Sequence, residues 1–246
     1  MSGHASNALR CRRLVSLLAI VLALCAGCEA TGFTERPQPS NPDEVLARCL
    51  DQLGRTRAGD GEDVQGDVRS GLDAHYFVGE VRRLALEFPN HVPTLFANAL
   101  LSREAGERED AQRYLDRVLA LDPTHVEALV LRSHIALQEG DVMSARELLT
   151  HGLLLAPDQA ELHEALAAVQ YVAGEFDQAR ASLVRAEKLG APNWRTAYDR
   201  GLVEEAVGEP AHALEQYEIT LRARPDFEPA RARSRALHAN DAASPR

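Results

Sequence analysis

One spacing constrains this 246-residue chain more than any single motif: Pro89, Pro123, Pro157 and Pro225 all lie on a 34-residue grid. The missing grid point is Ala191, with Pro192 beside it. Gly106, Gly140, Gly174 and Gly208 repeat with the same period, as do Ala111, Ala145, Ala179 and Ala213. Three residue types sharing one period over four copies mark an array of repeated supersecondary units. Each type has a physical role. Glycine ends the first helix of a unit, where a left-handed backbone suits a residue without a β-carbon. An acid follows each time, Glu107, Asp141, Glu175 and Glu209, and is expected to cap or favour the start of the second helix. Proline stops that second helix. The alanine sits where two helices approach closely. Ala99, Ser133, Ala167 and Gly201 supply a second close contact, with Leu115, Leu149, Leu183 and Tyr217 as the matching bulk.

These residues resemble the tetratricopeptide repeat family, whose unit is a helix-turn-helix of the same length. Four units run Val92–His125, Val126–Gln159, Ala160–Asn193 and Trp194–Phe227. The resemblance implies an all-α fold, an α-solenoid of antiparallel hairpins forming a right-handed superhelix. A composition poor in aromatics (5%) and rich in alanine, leucine and arginine agrees with helix. The chain departs from the family where a first-helix tryptophan is usual, with Leu95, Leu129, His163 and Ala197 instead. A later aromatic is replaced by Ser102, Ala136, Gln170 and Glu204.

The flanks read as caps. Residues 228–246 form a C-terminal capping helix, Glu228 to Ala239, and a tail; the arginine-rich helix is a polar lid on an otherwise exposed apolar face. Residues 43–91 form a degenerate N-terminal helical unit. There Val45, Leu46, Cys49, Leu50 and Leu53 share a helical face, Arg55 to Ser70 is a loop rich in Gly and Asp, and Gly71 to Phe88 is a second helix. This stretch is one unit with an enlarged turn or a small subdomain.

Residues 1–27 read as an export signal. Arg10, Arg12 and Arg13 precede the uncharged run Leu14 to Ala26, which is short for a membrane span. Leu24-Cys25-Ala26-Gly27-Cys28 resembles a bacterial lipobox, in which small residues precede a cysteine that receives lipid. The resemblance implies lipidation of Cys28, with Cys25 departing from the usual leucine. Ordinary cleavage near Ala26 or Ala30, releasing a soluble secreted protein, is the alternative. Glu29, where an aspartate would favour inner-membrane retention, leans toward the outer membrane. Residues 28–42 hold three prolines between Thr31 and Pro42, an extended spacer between anchor and body. The CxxC spacing of Cys25 and Cys28 is that of zinc and redox sites, but it ends an export segment with no second ligand pair nearby. With Cys28 lipidated, Cys49 is the remaining thiol of the mature chain.

Charge excludes one class of partner. Net charge is −10, and without residues 1–27 the chain has 24 basic and 37 acidic residues, a net of −13. Such a body repels nucleic acid. Arg231, Arg233 and Arg235 read as a solvated helix face. No HExxH, P-loop, GxSxG or dinucleotide-binding fingerprint is present, no cofactor is implied, and the nine histidines are scattered. Glu204 and Glu205 are neighbours that point apart on a helix. An enzymatic reading would have to place its site in residues 43–88, with His75.

The better site is the concave face that stacked hairpins present. The family pattern places Phe96, Leu100, Arg103, Val130, His134, Leu137, Tyr171, Tyr198 and Leu202 there, a largely apolar groove for a peptide or amphipathic helix. A carboxylate clamp of lysine and asparagine, known in some members, is absent: those positions hold Phe96, Val130, Glu164 and Tyr198, and Leu100, His134, Ala168 and Leu202. The expected function is a non-catalytic scaffold, an envelope lipoprotein that binds a protein partner during assembly of a larger machine. A regulatory subunit of an envelope enzyme is a further alternative.

Overall fold

The repeat becomes helices through two alternating stop signals. Gly106, Gly140, Gly174 and Gly208 have φ of 77°, 79°, 76° and 84°. Each places the next residue's N–H on a carbonyl five residues back, as in Glu107 N–H to Ser102 O at 2.8 Å and Asp141 N–H to Ala136 O at 2.9 Å. This double-bonded ending satisfies carbonyls a helix terminus would otherwise leave open. The second helices end differently. Asp122, Ala156 and Arg224 are extended (φ −134°, −136° and −135°), as a residue before proline must be. At the grid point that lacks proline, glycine takes over. Gly190 has φ 97° and Ala191 N–H reaches Ala186 O at 3.0 Å. The following helix accordingly starts at Asn193, not at the grid position one residue later.

The computed structural model describes residues 41–58 and 68–243. Among them lie eleven helices and no strand: α1 Pro42–Ala58, α2 Val68–Glu87, α3 Val92–Glu104, α4 Arg108–Leu121, α5 Val126–Gln138, α6 Val142–Leu155, α7 Ala160–Val172, α8 Phe176–Lys188, α9 Asn193–Ala206, α10 Pro210–Ala223 and α11 Glu228–Ala243. Residues Leu46–Arg246 form one compact unit; of the other, Met1–Val45, the described residues 41–45 belong to the start of α1. Within the larger unit consecutive helices pack as antiparallel hairpins, α3 with α4 through α9 with α10. The fold is an all-α solenoid. The export segment, Cys28 and most of the spacer lie outside the described residues. Among the described residues no helix is long and apolar enough to cross a membrane.

Small residues at fixed positions let these hairpins close. Ala111, Ala145, Ala179 and Ala213 are fully buried, as are Ala99 and Ser133, and Leu115, Leu149 and Tyr217 fill the space opposite. Cores run from one hairpin into the next: Leu95, Leu115 and Val118 pack with Leu131 and Ile135 of the following unit. Gly201 faces the largest partner. A β-carbon there would sit 2.5 Å from Tyr217 Cε1.

Three expectations change. The acids after the glycines are not a common cap. Only the Asp141 carboxylate reaches a helix N–H, that of Ser144 at 3.0 Å; Glu107, Glu175 and Glu209 have no such bond. Glutamate is one methylene longer, and Glu107 and Glu175 instead pair with Arg82 and Arg146 of the preceding hairpins. The loop expected over Arg55–Ser70 is shorter, because helix continues to Ala58 and resumes at Val68. The C-terminal helix extends to Ala243. At the N-terminal side, buried Asn98 donates to Val81 O (3.0 Å) and Thr94 O (2.9 Å), tying α2 to α3. Burial and Glu80 raise the Cys49 thiol above its ordinary range.

Candidate protein-binding groove

The first helices of successive units lie side by side, so residues three or four apart on each build one continuous face. On α3 that face holds Phe96, Leu100 and Arg103; on α5 it holds Val130 and His134. All five line a groove of about 1040 Å³. Its other wall comes from α7, through Glu164 and Ala168, and from α9, through Arg195 and Asp199. Asp122, Glu127 and Glu161 also border it.

The remaining expected residues do not line this cavity. Leu137 packs against the core of Ala136, Ala145 and Leu149. Tyr171 meets the Phe176 ring edge-on at 6.0 Å. Tyr198 and Leu202 join a terminal cluster with Tyr217 and Phe227, beside Ala230 of α11. The physical reason is the packing of the following segment: Phe227 and α11 take up the aromatic surface of α9. Tyr198 stands 5.0 Å from the Phe227 ring.

The groove is also more polar than expected. Glu164 is 7% exposed, and its Oε2 accepts from Arg195 Nη2. Its Oε1 is buried without a hydrogen-bond partner. Burial raises the Glu164 carboxyl, Arg195 works against that rise, and Glu161 adds to it. Asp199 lies one turn beyond Arg195. Burial and then the nearby Glu164 push its carboxyl up to about 7, with Arg195 opposing. Two acids thus share one guanidinium. Across the groove, burial by the walls and the charge of Arg103 hold the His134 imidazole below its ordinary range. The sequence reading missed Glu164, Arg195 and Asp199 as a group. The available signal was Glu164 itself, an acid at a groove-facing repeat position.

Other polar residues serve the scaffold. His125 Nδ1 accepts from Ala128 N–H at 3.3 Å and caps α5, and the His91 ring bonds Thr94 Oγ1 at 2.7 Å. Glu204 takes two bonds from Arg180, at 2.9 and 2.7 Å, whereas Glu205 accepts from Tyr217 and Arg233. These neighbours therefore face different partners. His75 is exposed on α2. Among the described residues no cluster of three His, Cys, Asp or Glu side chains is arranged to hold a metal ion.

An all-helical array with a concave, side-chain-lined face defines the class, an α-solenoid repeat protein. A model of the tetratricopeptide repeat family matches residues 102–169, inside the stretch whose 34-residue period runs from Pro89 to Pro225. A search of curated proteins gives no match. Among solved structures, a thermophilic TPR protein of Thermus thermophilus is similar at 20% identity over 81% of this chain and all of that one (100%), with a TM-score of 0.62. MamA (41-end) from Desulfovibrio magneticus RS-1 is similar at 14% identity over 75% of this chain and 98% of its own, TM-score 0.54. A further MamA structure has 26% identity over 61% of this chain and 82% of its own, TM-score 0.49. At 20% and 14% identity the first two likenesses concern the fold.

Proposed function

We propose that this chain is a non-catalytic interaction scaffold that holds a segment of a partner protein in the groove between α3 and α9. The observation that carries the reading is the groove itself: about 1040 Å³, open, with Phe96, Leu100 and Val130 as apolar floor and charged residues around them. Its size exceeds what a small metabolite fills and matches several residues of a peptide. A photo-crosslinker at Val130 or His134 is expected to trap one partner in living cells, and the same group at exposed Leu154 is not. Equal labelling from both positions would overturn the groove as the docking face.

The scaffold works from the bacterial envelope, tethered by lipid on Cys28. Support comes from the export segment, the small residues before Cys28 and the proline spacer that follows. The outer membrane and a role in assembling an envelope complex fit that arrangement. The test is intact mass with membrane fractionation beside Cys28→Ser. A chain beginning at Cys28 with added lipid, released from membranes by the substitution, is the expected result. A soluble chain cut near Ala26 or Ala30 would replace the tethered scaffold with a secreted one.

A further inference from the structure

We propose that the groove recognises its partner through a lysine or arginine side chain seated against Glu164 and Asp199. The inference rests on the docking reading above and adds the chemistry of the ligand. Glu164 is more than nine-tenths buried, yet Oε1 has no donor. A carboxylate oxygen in that state carries an uncompensated desolvation cost, which an incoming N–H group removes. Arg195 already serves the other oxygen. The carboxylate of Asp199, on α9 with Arg195, has no hydrogen bond among the described residues and lies close enough to Glu164 for the two acids to repel each other. The pair therefore presents more acceptor capacity and negative charge than Arg195 satisfies.

The surroundings select the kind of cation. Asp122, Glu127 and Glu161 add negative charge at the border, against Arg103 and Arg195, so an acidic ligand is repelled and a basic segment is attracted. Two carboxyl groups are too few for a calcium or magnesium cage, which needs six or more oxygen ligands, roughly, including water. A long alkyl stem suits the site: Val130 and Ala168 offer apolar wall to it while the charged head reaches the acids.

The test pans a random twelve-residue peptide library on the full chain in detergent micelles. Recovered peptides are expected to share a lysine or arginine, and its replacement by norleucine (or by methionine) lowers affinity by roughly tenfold or more. Asp199→Asn and Glu164→Gln, two nearly isosteric changes checked by thermal melting, each shrink that difference while leaving binding through the apolar floor. Peptides that compete at the groove but ignore the basic residue would overturn cation recognition and leave docking intact. A library with no binder sensitive to Val130→Arg would overturn the docking reading, and this inference with it.

Discussion

Gly201→Ala tests the packing rule that lets the last hairpin close. An alanine in a helix interior normally stabilises by about 1 kcal/mol relative to glycine. Here the new methyl would lie 2.5 Å from Tyr217 Cε1 and 2.8 Å from Cδ1, inside contact distance. The ring has little room to yield. Tyr217 is fully buried, and its hydroxyl donates to Glu205 Oε2 at 2.8 Å. Overpacking of this kind costs about 1–3 kcal/mol, and the pinned ring places it at about 3. The net expectation is destabilisation by about 2 kcal/mol, read from urea unfolding followed by circular dichroism. In a Tyr217→Leu background the clash disappears. The pair then has the composition of Ala99 with Leu115 and of Ala167 with Leu183, which share cores in the earlier units. Gly201→Ala should there stabilise by up to about 1 kcal/mol. A change of the same sign in both backgrounds would refute the reasoning, because coupling through the ring is what reverses it.

Asp199 makes stability depend on pH. Its carboxyl is raised from 3.8 to about 7, so between those values the folded chain binds more protons than the unfolded one and stability falls as pH rises, then levels off. At about 1.36 kcal/mol per unit the loss is at most about 4 kcal/mol. Asp199→Asn is therefore expected to be more stable than the parent at pH 8, with the gap closing near pH 4; a gap independent of pH in matched denaturation curves would contradict the placement of this acid. Gly140→Ala meets no atom but forces alanine to φ 79°, and should cost about 1–2 kcal/mol by denaturant titration, with Gly140→Asn costing less. Asp141→Ala removes a helix cap and is expected to cost about 1 kcal/mol, whereas Glu107→Ala, which loses an exposed ion pair with Arg82, should cost under about 1 kcal/mol in the same assay.

Local backbone chemistry explains what could be read without coordinates. A left-handed glycine and a pre-proline residue each act on their own few peptide units, so Gly106, Gly140, Gly174 and Gly208 and the prolines at 123, 157 and 225 announce helix ends directly. Their common period then sets the hairpin length, and the alternation of Ala111 or Ala145 with Leu115 or Leu149 marks the buried seam. The family pattern, carried onto that period, also placed Phe96, Leu100, Arg103, Val130 and His134 on one face. What it did not decide depends on neighbours distant in the chain. Tyr198 and Leu202 occupy groove positions by register, yet they pack toward Phe227 and Tyr217. Glu164 and Asp199 are 35 residues apart on different helices; the repeat position marks Glu164 as groove-facing, but nothing local pairs it with Asp199. Stacking α7 beside α9 buries one, brings the other near it and supplies a single arginine for both. That is electrostatics through space, which only the tertiary structure creates.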